Sequence, residues 1–147
     1  MARRGGVRLA VQYAVPRAGL PGRASLERWA NAAADGRTSL TVRFVGAAEG
    51  RALNRAYRGQ DHATNVLTFP YPAADCGLAG DIVLCAPVVA REARAQGKPA
   101  RAHFAHLVVH GVLHLRGYDH ARARQAREME ALETRILRRL GFADPYR

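Results

Sequence analysis

The chain has 147 residues, 48% hydrophobic and 24% charged. That length suits one domain spanning 1–147 with a real core, and that balance excludes wholesale disorder. Against 12 acidic residues stand 23 basic ones, a formal charge of +11, which favours an anionic partner: RNA, DNA or an acidic membrane surface.

The basic excess is almost all arginine, since Lys98 is the only lysine. A GC-rich genome trades lysine for arginine by codon bias, but such bias creates no net charge. The two cysteines, Cys76 and Cys85, form no CxxC and no disulfide framework, so a reducing cytoplasm is the default setting. The first ten residues carry arginines without the apolar stretch of a secretory leader. No run of about 18 apolar residues is present, so no transmembrane helix is expected.

In chain order, residues 7–13 alternate Val7, Leu9, Val11 and Tyr13, a strand with one buried face. Residues 21–34 predict a helix with Leu26, Trp29, Ala30 and Ala33 on one side, ended by Asp35-Gly36. Residues 38–45 predict a second strand through Leu40, Val42 and Phe44. A helix over 47–58 places Leu53, Ala56 and Tyr57 near one side and stops at Gly59. A short strand over 65–70 is expected to close at Pro70, followed by a loop over 71–77. Residues 80–85 give a fourth strand, and Pro87 suits the first turn of a helix over 87–96. Gly97-Lys98-Pro99 breaks the chain before a strongly apolar helix over 100–115. Residues 117–120 make a turn. An amphipathic helix over 122–140 points Met129, Leu132, Ile136 and Leu140 inward. Strands early and helices late suggest an α+β layer structure, one sheet face covered by helices.

Five of the six histidines fall between positions 103 and 120. At 100° per residue, His103, His106, His110 and His114 share a sector of about 80° on one helix. His110 and His114, four residues apart, can point two imidazoles at one spot. Gly117 then allows a sharp turn that can bring His120 back. The pattern HxxxHxxGxxH has the ligand spacing of the long zincin motif. Three neutral imidazoles leave a fourth position on zinc open for water, the mark of a catalytic site. Zincin peptidases place glutamate directly after the first histidine as general base. Here that position is Gly111, so peptide hydrolysis is not expected. A basic protein with such a site points instead to phosphodiester hydrolysis.

The string His110 to His120, HGVLHLRGYDH, resembles the signature of the YbeY family of ribosome-maturation endoribonucleases. The block Leu53-Asn54-Arg55-Ala56-Tyr57-Arg58, then Asp61 and Val66-Leu67-Thr68-Phe69-Pro70, is similar to a second block of that family. Gly80-Asp81-Ile82-Val83 and Glu130-Ala131-Leu132-Glu133 continue the likeness, which covers roughly residues 40–147. The resemblance implies a small mixed four-stranded sheet with a zincin-like, metalloproteinase-like helical layer. It implies one Zn2+ per chain, held by His110, His114 and His120, with Arg58 as the functional arginine. The implied activity is single-strand-specific endoribonuclease action in 16S ribosomal RNA 3′-end processing, ribosome maturation and quality control. Single-stranded and ribosomal RNA and the small ribosomal subunit are then the partners, in the cytoplasm and without membrane.

Arg58 also makes sense from its chemistry. A guanidinium is a planar fork of donors that matches two phosphate oxygens and stays charged. At a helix end it can equally be a solvated residue that favours the helix dipole. The sequence departs from the family where Pro-Thr-Asp is usual and Ala63-Thr64-Asn65 stands here. Asparagine can hydrogen-bond but cannot act as a base at neutral pH. Asp119, beside His120, could orient an imidazole or cap the last helix. His103 and His106 suit helix packing or surface, and Cys85 suits packing at its strand end. Arg122, Arg124 and Arg127 form either an RNA-facing edge or a solvated face. The rival to an enzyme is a ribosome-assembly factor that binds RNA through its basic surface, with zinc as a structural clip. The residues alone do not choose between water and the RNA 2′-OH as nucleophile.

Overall fold

The computed structural model describes residues 6–72, 77–119 and 121–147; Cys76 and His120, both singled out above, lie outside them. The elements run β1 (Val7–Tyr13), α1 (Arg23–Ala33), β2 (Thr38–Val45), α2 (Ala47–Arg58), β3 (Val66–Tyr71), β4 (Leu78–Cys85), α3 (Ala86–Ala95), α4 (Ala100–Leu115) and α5 (Ala123–Arg139). The four strands form one mixed sheet in the order β1-β2-β4-β3. β1 and β2 pair in parallel, as do β2 and β4, while β3 returns antiparallel onto β4. Parallel neighbours need crossovers; α1 lies between β1 and β2, and α2 lies between β2 and the β3–β4 pair.

Pro70 does not close β3. It sits inside the strand opposite Gly80, and Tyr71 continues the pairing opposite Ala79. β3 is an edge strand, where a residue without an N–H can be tolerated.

Side-chain alternation splits the sheet into two faces. Leu40, Val42 and Phe44 of β2 join Ile82 and Leu84 of β4 in the main core, with Trp29 of α1 and Phe104, Val108 and Val112 of α4. Phe44 stacks flat on Tyr13 at 5.1 Å and meets Phe104 edge-on at 5.7 Å. Each fully buried side chain of this kind stabilises by about 1.5–3 kcal/mol. Val45, Leu67, Val83 and Cys85 form a smaller cluster with Leu53 of α2. Both faces therefore carry apolar packing, unequally, where the element order suggested one.

α4 is apolar on nearly all sides because it is the central helix. Gly111 lets it approach the sheet: a Cβ there would lie 2.8 Å from Ile82 Cδ1. The position after His110 thus faces β4, and a side chain there would meet the sheet.

α2 ends at Gly59, whose φ of 70° is left-handed and whose N–H reaches the Arg55 carbonyl. Its buried residues are Gly50 and Asn54, with Leu53 half-buried; Ala56 and Tyr57 are exposed, against expectation. A polar residue occupies the inner face because Asn54 Nδ2 donates to the His62 carbonyl at 2.7 Å and holds the following turn. On α5, Met129 and Ile136 are buried as expected. Leu132 and Leu140 are only half-buried, and Glu133 and Leu137 take the inner places.

Candidate active site

The histidine face of α4 forms a stripe, with successive ring centroids 6.2, 6.2 and 6.1 Å apart from His103 to His114. Burial falls along it. His103 is 4% exposed, His106 and His110 are half-buried, and His114 is exposed.

Each imidazole is fixed by a partner from another element or turn. Glu133 of α5 is fully buried. Its Oε2 accepts from His110 Nδ1 at 2.6 Å, and its Oε1 lies 3.0 Å from His106 Nε2. The Tyr146 hydroxyl also donates to Oε1. Burial by itself would raise the Glu133 pKa; the bonds from His106, His110 and Tyr146 outweigh it and lower the group to about 2. Burial, with the same carboxylate, pushes the Tyr146 hydroxyl well above its ordinary value, so it stays a donor. An ionised carboxylate only accepts. His110 therefore carries a proton on Nδ1, and in the neutral ring the lone pair is on Nε2.

His114 reaches the same state by a different route. Gly117, at φ 102°, turns the chain after α4 and brings the Tyr118 carbonyl 3.0 Å from His114 Nδ1. A carbonyl only accepts, so the proton is again on Nδ1. Arg116 anchors this turn through a 2.7 Å bond to the Ala33 carbonyl. Asp119 is exposed and accepts from the Ala121 N–H at 3.1 Å, just ahead of α5.

The chain separation between Arg58 and the histidines disappears in the fold. A cleft of about 500 Å³ is lined by Tyr57 and Arg58 from α2, Phe69 from β3, and His110 and His114 from α4. Gly59 ends α2 so that Arg58 falls on the rim. Tyr57, 67% exposed, stands edge-on to Phe69 at 4.9 Å. Its exposure, unexpected for the inner face of a helix, belongs to this cleft.

The donor chemistry fits a divalent metal. Two Nε2 lone pairs come from residues whose Nδ1 protons are held by an acid and a carbonyl, the arrangement that fixes tautomer and ring orientation in metal-binding histidines. A group of His106, His110 and Glu133 also has ligand atoms within 4.8 Å of one another and could hold a metal ion. In the structure those atoms are joined by hydrogen bonds.

A second polar chain runs beside the first. Asn65 Nδ2 donates to Glu92 Oε1 at 2.9 Å, and His103 Nε2 reaches the same oxygen at 2.8 Å. The amide at 65 thus serves as a donor to a carboxylate, which an aspartate could not do. His103 and His106 are members of these networks as well as packing residues. Sequence reasoning missed Glu133, Tyr146 and Glu92. The available signal was Glu133 itself, an acid in register with Met129 and Ile136 on the inner face of an amphipathic helix.

Comparison with known proteins gives consistent matches. The family model described as Endoribonuclease YbeY matches residues 23–141. A protein of that name from Aromatoleum aromaticum is 60% identical, over 94% of this chain and 91% of its own. One from Stenotrophomonas maltophilia is 54% identical, over 97% and 96%. One from Cupriavidus pinatubonensis is 60% identical over 89% of this chain, which spans 66% of that relative. The solution structure of TM1509 from Thermotoga maritima matches with a TM-score of 0.59 and 27% identity, over 88% of this chain and 87% of that one.

Proposed function

The chain belongs to the YbeY family of endoribonucleases, and from that premise we propose that it is a metal-dependent hydrolase that cuts single-stranded RNA. The observation that carries the reading is the cleft that places Arg58 with His110 and His114. We assign one zinc ion to His110, His114 and His120, and the whole span 1–147 to one catalytic domain. Processing of the 16S ribosomal RNA 3′ end, ribosome maturation and quality control on the small subunit follow from the family. The cytoplasm is the setting that goes with them. No helix among the described residues is long and apolar enough to cross a membrane.

Within the cleft, Arg58 binds two non-bridging oxygens of the scissile phosphate with its planar fork and offsets the charge that grows in the transition state. Glu133 and the Tyr118 carbonyl hold the imidazoles in the lone-pair-outward state. Zinc bound there supplies a Lewis acid beside the phosphate. The exposed Tyr57 ring offers a face on which an unpaired base stacks.

The test is single-turnover cleavage of one labelled single-stranded RNA by wild type, Arg58→Ala and Arg58→Lys, each with its metal content measured. Arg58→Ala should keep fold and metal and lose on the order of a hundredfold in rate. Arg58→Lys should recover little of it, because an ammonium keeps charge without the fork. Equal rates in all three would leave Arg58 a surface residue and remove the reading's main support. Product ends identify the nucleophile: a 2′,3′-cyclic phosphate means the RNA 2′-OH attacked.

A further inference from the structure

Next to the cleft lies a larger cavity of about 850 Å³, and the two share Asn65, Val66 and His110. Its walls include Glu92 and Lys98, His103 of α4, and the C-terminal Tyr146. Its size is within the range of small-ligand pockets, about 300–1,000 Å³. The mechanism above leaves it unused.

Among the ordered polar groups in its wall is the Glu92 carboxylate. Both protein bonds to it, from Asn65 and from buried His103, end on Oε1. Among the described residues no donor reaches Oε2, and the side chain is one-third exposed. The carboxylate is thus held from the protein side, with one acceptor oxygen left for what enters the cavity. Lys98, the chain's only lysine, lines the same cavity and is half-buried.

We propose that this cavity is a ribose-reading subsite. A nucleotide flanking the scissile phosphate enters it, Glu92 accepts a hydrogen bond from that nucleotide's 2′-OH, and Lys98 faces the next phosphate. This rests on the endoribonuclease reading for its substrate. The sugar is the group joined directly to the phosphate in the cleft, so it is the first group to pass Asn65 and His110. A carboxylate repels phosphate and accepts from a hydroxyl, and the 2′-OH is what distinguishes RNA from DNA at a site. A single acceptor at the sugar sets that choice without selecting a base.

The experiment is equilibrium binding of fluorescein-labelled decamers of one sequence, as RNA, DNA and 2′-O-methyl RNA, to the intact chain at low temperature. Wild type should bind RNA on the order of tenfold more tightly than the other two, the effect of one charge-assisted hydrogen bond. Glu92→Gln keeps an oxygen for Asn65 and His103 and puts an amide nitrogen where the acceptor was. It should abolish the preference, so that RNA and DNA bind alike, both gaining a little from the lost negative charge beside the backbone. Lys98→Met should weaken RNA and DNA alike and reduce the salt dependence by about one phosphate contact. Equal RNA and DNA affinity in wild type would overturn the subsite, as would a preference that survives Glu92→Gln. A protein that shows the preference but cleaves no RNA contradicts the proposed activity and leaves the subsite standing. One that cleaves RNA with an unchanged preference in Glu92→Gln contradicts the subsite alone.

Discussion

Glu133 joins three side chains from two parts of the chain: His106 and His110 on α4, and Tyr146 near the C-terminus. Such outer partners commonly contribute 10–100-fold to metal affinity. Glu133→Gln should therefore weaken zinc by about that factor, measured by competition with a chromogenic chelator, and Tyr146→Phe should weaken it by less. The same titration separates the two possible metal positions. One metal per chain, lost in His114→Ala and retained in His106→Ala, places it with His110 and His114. Retention in His114→Ala would place it with His106 and Glu133. His103 yields a pH prediction. Burial lowers its pKa below the ordinary 6.5, partly opposed by Glu92, so the fold favours the neutral ring. The unfolded chain binds the proton more readily, and stability is full above about pH 6.5 and declines as pH falls below it. Denaturant unfolding at stepped pH should show this slope in wild type and less of it in His103→Gln. The histidine stripe was legible because helical periodicity is local. The position of Glu133 was visible, as an acid in register with Met129 and Ile136, but its role was not, because that needs the facing histidines.

The approach of α4 to the sheet depends on two glycines in facing elements. A Cβ on Gly80 would lie 2.7 Å from Leu115 Cδ2 and 2.9 Å from the Phe69 carbonyl oxygen, and the latter is backbone. Gly80→Ala should destabilise by about 1–3 kcal/mol through overpacking. Gly111→Ala would bring its Cβ to 2.8, 3.1 and 3.3 Å from Ile82 Cδ1, Cγ1 and Cγ2, and because Ile82 is fully buried and β-branched it should destabilise by a similar amount; parallel urea titrations check both. Gly111 leaves no side chain to serve as a peptidase base, and the fold gives it a packing reason as well. β1, β2 and α4 were legible to the residue, since alternation and helical apolarity are strong there. The inner face of α2 was not legible, because Asn54 is buried there for a hydrogen bond, which no hydrophobic pattern reveals. β3 ran past Pro70 because only the sheet order makes it an edge.

At the scale of the molecule, the sheet order β1-β2-β4-β3 was beyond reach of local pattern, since it rests on pairings between distant segments. The layer class and the histidine-bearing helix were within reach. The charge of +11 predicts that RNA affinity falls steeply with salt and shows little base preference. Titrations of unrelated single-stranded RNAs at two salt concentrations check this; salt-independent binding would contradict an electrostatic groove. The central claim is that cleavage belongs to this chain and needs the metal at its histidines. The most direct measurement is cleavage of an end-labelled single-stranded RNA by the purified chain, untreated, stripped with chelator, and reloaded with one equivalent of zinc, beside His114→Ala handled the same way. The account predicts cutting by the untreated and reloaded wild type, and little or none by the stripped protein or the variant. Undiminished cutting after the metal is removed, or by His114→Ala, would contradict it.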